Sequence, residues 1–283
     1  MIVGCFALLE PFAPMRRQFE RIRELGFECA DLTDNHDGAS VGGEYGFTAA
    51  LSLDSHPADI RDLVDEFGLT LTSVCAHANL IDPPSPSRYG TREIVKAIRL
   101  AHQLGIEQVI TTEGEAVTPF GKTLTRDEMV FCVRERLYEP IRWAEEFGVE
   151  LLIEPHGLLT NSVDGMKAVL AALGHEATVG VNFDTANVWL GGTDPVEYVR
   201  VFGDRIRHVH WKDLGTRWAS QRGRCCGTGM GTIALGDGVV GIEATVNALV
   251  EQGFDGPTTL ELAGPDNVRR SAERLARWAE AAA

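Results

Sequence analysis

Four amphipathic stretches in the first half of this chain each end in a glycine that directly precedes an apolar, β-rich run. They are Met15 to Leu25 before Gly26, Pro57 to Phe67 before Gly68, Thr91 to Leu104 before Gly105, and Arg126 to Phe147 before Gly148. Glycine readily adopts the left-handed conformation that stops a helix, so this punctuation marks four helix-to-strand joints. The strand-like runs around them are Ile2 to Leu8, Phe27 to Leu32, Leu69 to Ala76 and Gln108 to Thr112. The second half repeats the alternation. Val149 to Ile153 leads to Val163 to Leu173, Val179 to Phe183 to Pro195–Val201, Ile206 to His210 to Ile242–Gln252, and Thr258 to Glu261 to Asn267–Ala281. Eight βα units in succession predict an α/β fold, a (β/α)8 TIM barrel. The 283 residues lie near the length of roughly 250 typical of such a barrel. No low-complexity linker divides them, so the expectation is a single domain over residues 1–283.

Two glycine-bearing stretches break the rhythm: Asn35 to Asp54 after the second strand and Trp211 to Val240 after the seventh. Both follow strand C-termini, the side of a barrel on which loops build the site. Within the second, Gly227-Thr228-Gly229-Met230-Gly231 is not placed between a strand and an immediate helix as a phosphate-binding fingerprint would be. A lid over a substrate is the preferred reading.

Composition removes several functional classes. Lys plus Arg total 26 against 41 Asp plus Glu, a net charge of −15. That field repels phosphate backbones and anionic lipid heads, so neither nucleic acid nor a membrane surface is an expected partner. The apolar start, Met1 to Leu9, is short and lacks a basic leader, which reads as a first strand rather than a signal peptide. No other stretch approaches the roughly 20 apolar residues of a membrane span. The six cysteines show no framework spacing, as expected of a chain in a reducing cytoplasm.

Four strand-like runs of the second half end in a residue able to bind a metal: Glu154, Asp184, His210 and Glu261. In a parallel barrel those ends converge on one mouth, so residues remote in sequence become neighbours. Three carboxylates and one imidazole suit a hard or borderline divalent ion: Mn²⁺ first, with Mg²⁺, Co²⁺ or Zn²⁺ also compatible. Glu154 and Glu261 each close an apolar run where an unpaired carboxylate would be costly. Strand alternation puts His208 and Lys212 on the side of His210, and His77 and Glu113 stand at the ends of the third and fourth strands. These four are candidate substrate contacts. His156, two residues beyond Glu154 on the same strand face, is a candidate acid or base.

Glu154-Pro155-His156, Asn182-Phe183-Asp184-Thr185-Ala186-Asn187, His208-Val209-His210-Trp211-Lys212-Asp213 and Leu260-Glu261 resemble the strand-five to strand-eight motifs of the xylose isomerase-like barrels. That superfamily includes sugar phosphate isomerases and epimerases, ketose 3-epimerases, inosose dehydratase and endonuclease IV. The resemblance implies that Glu154, Asp184, His210 and Glu261 are the metal ligands, and that Glu154 and Glu261 double as a pair of acid/base groups on opposite faces of a small sugar. In that chemistry a metal chelates a carbonyl oxygen and its neighbouring hydroxyl while a carboxylate removes the shared C–H proton, through an enediolate.

Two positions pull away from a ketose 3-epimerase. Asn187, a further candidate substrate contact, stands where those enzymes carry a substrate-binding histidine, and His156 suits elimination chemistry. The expected function is therefore a divalent-metal-dependent isomerase or epimerase of a small sugar or keto-sugar. The alternative is a metal-dependent lyase, either inosose dehydratase-like or resembling a C-glycoside deglycosidase. A homo-oligomer, or a second subunit completing the site, stays open. An endonuclease IV-like activity is disfavoured by the charge, and a non-catalytic binding barrel remains the bland alternative.

Overall fold

The computed structural model describes residues 1–10, 13–33, 52–82, 89–228 and 231–282. Most of the Asn35–Asp54 stretch, together with Gly229 and Met230 of the glycine run, lies outside the described residues.

Eight strands form the wall: β1 (Ile2–Phe6), β2 (Cys29–Thr33), β3 (Thr70–Cys75), β4 (Gln108–Gly114), β5 (Glu150–Gly157), β6 (Val179–Asp184), β7 (Ile206–Trp211) and β8 (Pro257–Leu260). Each pairs in parallel with its successor, and β8 pairs with β1 from Ile2 opposite Pro257 to Cys5 opposite Leu260, which closes the ring. Between the strands run α1 (Met15–Glu24), α2 (Pro57–Phe67), α3 (Tyr89–Leu104), α4 (Arg126–Phe147), α5 (Val163–Leu173), α6 (Thr185–Leu190), α7 (Pro195–Phe202), α8 (Ile242–Glu251) and, after β8, α9 (Pro265–Ala282). The (β/α)8 barrel expected from the alternation is present.

Local sequence explains the joints. Thr125 and Glu128 form a reciprocal capping box that starts α4, and Pro57 in the first turn of α2 follows His56, whose ring accepts from the Ala58 amide. Gly68 and Gly148 stop these helices with φ of 59° and 66°, values an L side chain rarely adopts. Met15, Gln18, Phe19 and Ile22, spaced for one helical face, are the buried residues of α1.

The strands sort their side chains by alternation. On β5, Leu151 and Ile153 join the large apolar core shared with the helices, whereas Leu152 belongs to a small inner cluster with Phe6, Leu8, Cys75 and Ile110. Glu154 therefore points inward, one step above Leu152. On β7, Val209 and Trp211 join the outer core. His208, His210 and Lys212 consequently face the interior, and the apolar inner floor gives way to polar groups toward the C-terminal mouth.

Candidate metal centre

At that mouth, ligand atoms of Glu154, Asp184, His210 and Glu261 all lie within 4.8 Å of one another. Nδ1 of His210 is 3.1 Å from Oε2 of Glu154 and 3.1 Å from Oε2 of Glu261. Glu154, Asp184 and His210 are almost wholly buried, while the Glu261 side chain keeps 12% exposure. Strand order produces this convergence: β5, β6, β7 and β8 are consecutive staves of the barrel, and their carboxyl ends share one rim.

The surrounding polar groups are committed in a definite way. Asn182 donates to Oε2 of Glu154 at 2.9 Å and Asn187 to its Oε1 at 3.2 Å. The Asn187 amide also donates to Oδ1 of Asp184 at 2.8 Å. Lys212 reaches Oδ2 of Asp184 at 2.9 Å and Oε1 of Glu261 at 2.8 Å. His77 approaches Oε2 of Glu154 at 3.6 Å and is partly open to solvent.

Charge follows from burial and neighbours. Burial alone would raise the Glu154 carboxyl, but the His210 and His77 rings outweigh it and hold Glu154 well below the usual range. Burial, with the Glu154 and Glu261 charges, pushes Asp184 up to about 6 despite Lys212. For Lys212 the balance is opposite: burial disfavours the ammonium, and the carboxylates of Asp184, Glu261 and Glu154 hold it well above its ordinary value.

Three buried atoms of the group, Nδ1 of His210, Oε2 of Glu261 and Oδ2 of Asp184, make no well-aligned hydrogen bond among the described residues, although charged neighbours stand close to each of them. Buried polar atoms are normally satisfied. Orphans concentrated on three of four converging ligands, one imidazole nitrogen and two carboxylate oxygens, fit the needs of a divalent cation.

His156 sits at the edge of the site and its backbone amide donates to Thr160 Oγ1 at 3.2 Å. Burial, reinforced by Lys212 and His77, lowers the imidazole to about 4. Gly227 packs directly on this ring, and a Cβ there would collide with Nε2. The loop after β7 thus rests against the site. Its Cys226 carbonyl accepts from Asn161 at 2.6 Å, and its Thr228 amide donates to Asn187 Oδ1 at 3.4 Å.

Two expected substrate contacts need correction. Glu113 does not open toward the mouth: it is fully buried, and its two carboxylate oxygens accept from the amides of Leu159 and Thr160, each at 2.7 Å. It clamps the loop after β5. His208 faces inward as alternation requires, but one layer too deep, fully buried with Nδ1 at 2.8 Å from Gln108 Oε1 and Nε2 at 3.2 Å from Thr259 Oγ1. His77, Asn187 and Lys212 do gather around the four clustered side chains, though Asn187 is fully buried and bonds to Glu154 rather than facing the opening.

Asp31 and Asn182 join the site without having been expected there from the sequence. Asp31, fully buried near the end of β2, accepts Thr72 Oγ1 on Oδ1 and lies 3.0 Å from His208 Nε2 and 3.2 Å from His210 Nε2 through Oδ2. Its signal was a charge inside the apolar run Cys29-Ala30-Asp31-Leu32.

Closed parallel barrel and carboxylate-histidine cluster together define a barrel protein with a candidate metal centre at the carboxyl ends of its strands. The chain belongs to the xylose isomerase-like TIM barrel family, whose model matches residues 19–281. A curated relative, an inosose dehydratase of Clostridium beijerinckii, is 24% identical over 179 residues, and the match spans 60% of each chain. Among solved structures, a D-tagatose 3-epimerase-like protein superposes with a TM-score of 0.78 at 20% identity, covering 100% of this chain and 98% of that one. An IolI protein with a bound zinc atom gives 0.72 at 15% identity, covering 100% and 96%. At such identities the two structures share the fold.

Proposed function

We propose that this protein is a divalent-metal-dependent isomerase or epimerase acting on a small sugar or keto-sugar by proton transfer next to a carbonyl, with Glu154, Asp184, His210 and Glu261 holding the ion. The carrying observation is the convergence of those four side chains with orphaned atoms on three of them. A divalent ion supplies Lewis acidity toward a carbonyl and its neighbouring hydroxyl.

The protein's own groups would divide the remaining work. Glu261 is the more open of the two glutamates, so its carboxylate is the better placed to take a proton from a substrate carbon. Glu154 is held by Asn182, Asn187 and His77, which fixes its direction and suits it to receive the substrate on one face. Lys212, itself buried, neutralises part of the carboxylate charge at the edge of the group. His77 lines the same edge. A soluble setting in a reducing cytoplasm agrees with the six unpaired cysteines and with the absence, among the described residues, of any helix long and apolar enough to cross a membrane.

A second reading, a lyase, is favoured by His156. Its ring lies on the strand that carries Glu154 and beneath Gly227, where, kept neutral by burial, it could take the proton from the substrate carbon next to the one that loses its hydroxyl or aglycone. The inosose dehydratase relative points the same way.

Incubation of the manganese-loaded protein with ketoses, inososes and 3-keto-glucosides in D₂O separates the readings. Deuterium in a rearranged sugar supports isomerase or epimerase chemistry; loss of water or aglycone supports the lyase. Turnover that survives chelation and Glu261→Gln would overturn both.

A further inference from the structure

The group of four contains one imidazole, and its use depends on which ring nitrogen faces the carboxylates. Nδ1 of His210 is turned toward Glu154 and Glu261, and Nε2 toward Oδ2 of Asp31. A neutral imidazole carries its proton on one nitrogen only, and the hydrogen bond made by that nitrogen leaves the other as a lone pair. Asp31 is fully buried on β2, three staves round the ring from β7, so it is not solvated at a surface. Both of its oxygens are engaged by the interior: Oδ1 by the Thr72 hydroxyl, Oδ2 by the histidine rings.

We propose that Asp31 is a positioning residue for the metal centre: it accepts Nε2–H of His210, fixing the tautomer and ring orientation that leave Nδ1 free to bind the ion. This rests on the metal-dependent reading above and adds to it a residue from β2, outside the four strands that carry the group. Metal-binding histidines commonly donate their second ring N–H to a carboxylate, which both orients the ring and strengthens it as a ligand.

The arrangement continues beyond Asp31. His208 lies 3.0 Å from the same Oδ2, and its Nδ1 meets Oε1 of Gln108, whose amide nitrogen donates to Glu150 Oε2 at 3.0 Å and to the Arg207 carbonyl at 3.3 Å. A buried polar row thus runs from the lower rim of the barrel to the ligand, and His208 takes a place in it as a neighbour of Asp31. Cys75, the third member of a group with Asp31 and His210, has its thiol pushed by burial to about 12. It serves as a neutral neighbour here.

Zinc titration by calorimetry, combined with ¹⁵N imidazole spectra of the zinc-loaded protein, tests the assignment. In the wild type we expect a metal-shifted Nδ1 and a protonated Nε2 on His210. Asp31→Asn replaces the acceptor with an amide able to donate, which favours a proton on Nδ1. It should weaken zinc binding about 10- to 100-fold, while the metal-free fold is retained by circular dichroism. A wild-type spectrum with Nε2 bound to zinc overturns the proposal even if the variant fails to fold, and so does a folded variant that binds zinc within threefold of wild type. Absence of zinc binding to the wild type overturns the metal reading and this proposal together; the other two results overturn the proposal alone.

Discussion

At the scale of single residues, Glu113 shows how a charge at a strand end can serve the frame instead of the chemistry. Burial raises its carboxyl to about 7, against amides that pull it down. Because the folded value lies above the ordinary 4.5, the native state retains a proton that the unfolded chain releases between those two values. Stability owed to this group therefore falls as pH rises from about 4.5 to about 7. Thermal melts across that window should show wild type losing up to ~3 kcal/mol relative to Glu113→Gln, whose side chain does not titrate; parallel curves would refute it. Glu261→Gln belongs to the same scale: loss of divalent-ion binding by more than tenfold and loss of turnover are expected, read by calorimetry and by solvent deuterium uptake. The residues of the group itself were legible because charge at the end of an apolar run is conspicuous. Asp31 was not, since one aspartate in a strand does not reveal which ring it faces. Glu113 and His208 were misplaced because alternation gives the side of a strand but not the depth at which a side chain stops.

At the scale of elements, the glycine punctuation located the joints well. α2, α4 and α5 span the expected residues, and the strands differ from expectation by a few positions at their ends. The larger departures are physical. β5 runs on through Pro155, His156 and Gly157, because its extension is pinned from outside: the Gly157 amide donates to Asn161 at 3.0 Å, and Gly157 is packed against the Glu113 side chain, where no Cβ would fit. α6 is a short helix that the strand-to-helix pattern omitted; Asp184 caps it by accepting from the Asn187 amide while also facing the cluster. The loop after β7 is organised by Asp213, whose carboxylate accepts from the amides of Leu214, Gly236, Gly238 and Val240 at 2.8 to 3.2 Å. Asp213→Ala leaves buried donors unpaired at ~1–3 kcal/mol each, so the denaturation midpoint should drop and limited proteolysis should begin within residues 231–240. Gly227→Ala acts differently. The added methyl must part the loop from His156, so kcat/KM should fall at least tenfold with little change in melting temperature, and an unaltered kcat/KM would separate that loop from the chemistry.

At the scale of the whole molecule, the closed ring makes the strands interdependent, so unfolding should be a single transition followed equally by far-UV and tryptophan signals. An ion bound only by the native barrel adds its binding energy to that transition, ~2.7 kcal/mol at a free concentration 100 times Kd. Differential scanning calorimetry with manganese and then with excess chelator should show the melting temperature rise and return. A Glu261→Gln protein should show neither movement. Class, order and mouth of the barrel were all readable from periodicity, whereas substrate and reaction direction depend on loop geometry that periodicity does not encode.

Closure of the ring by β8 against β1 carries a consequence for how the chain is made. Residues 257–260 must leave the ribosome before the first strand gains its second neighbour, and Glu261 follows them. Until then β1 and β7 lack their second neighbours, and Glu154, Asp184 and His210 have been synthesised without the last side chain of their cluster. Of all the staves, β1 therefore waits longest for its second neighbour, and factors that shield exposed strand edges would have most time to act on it.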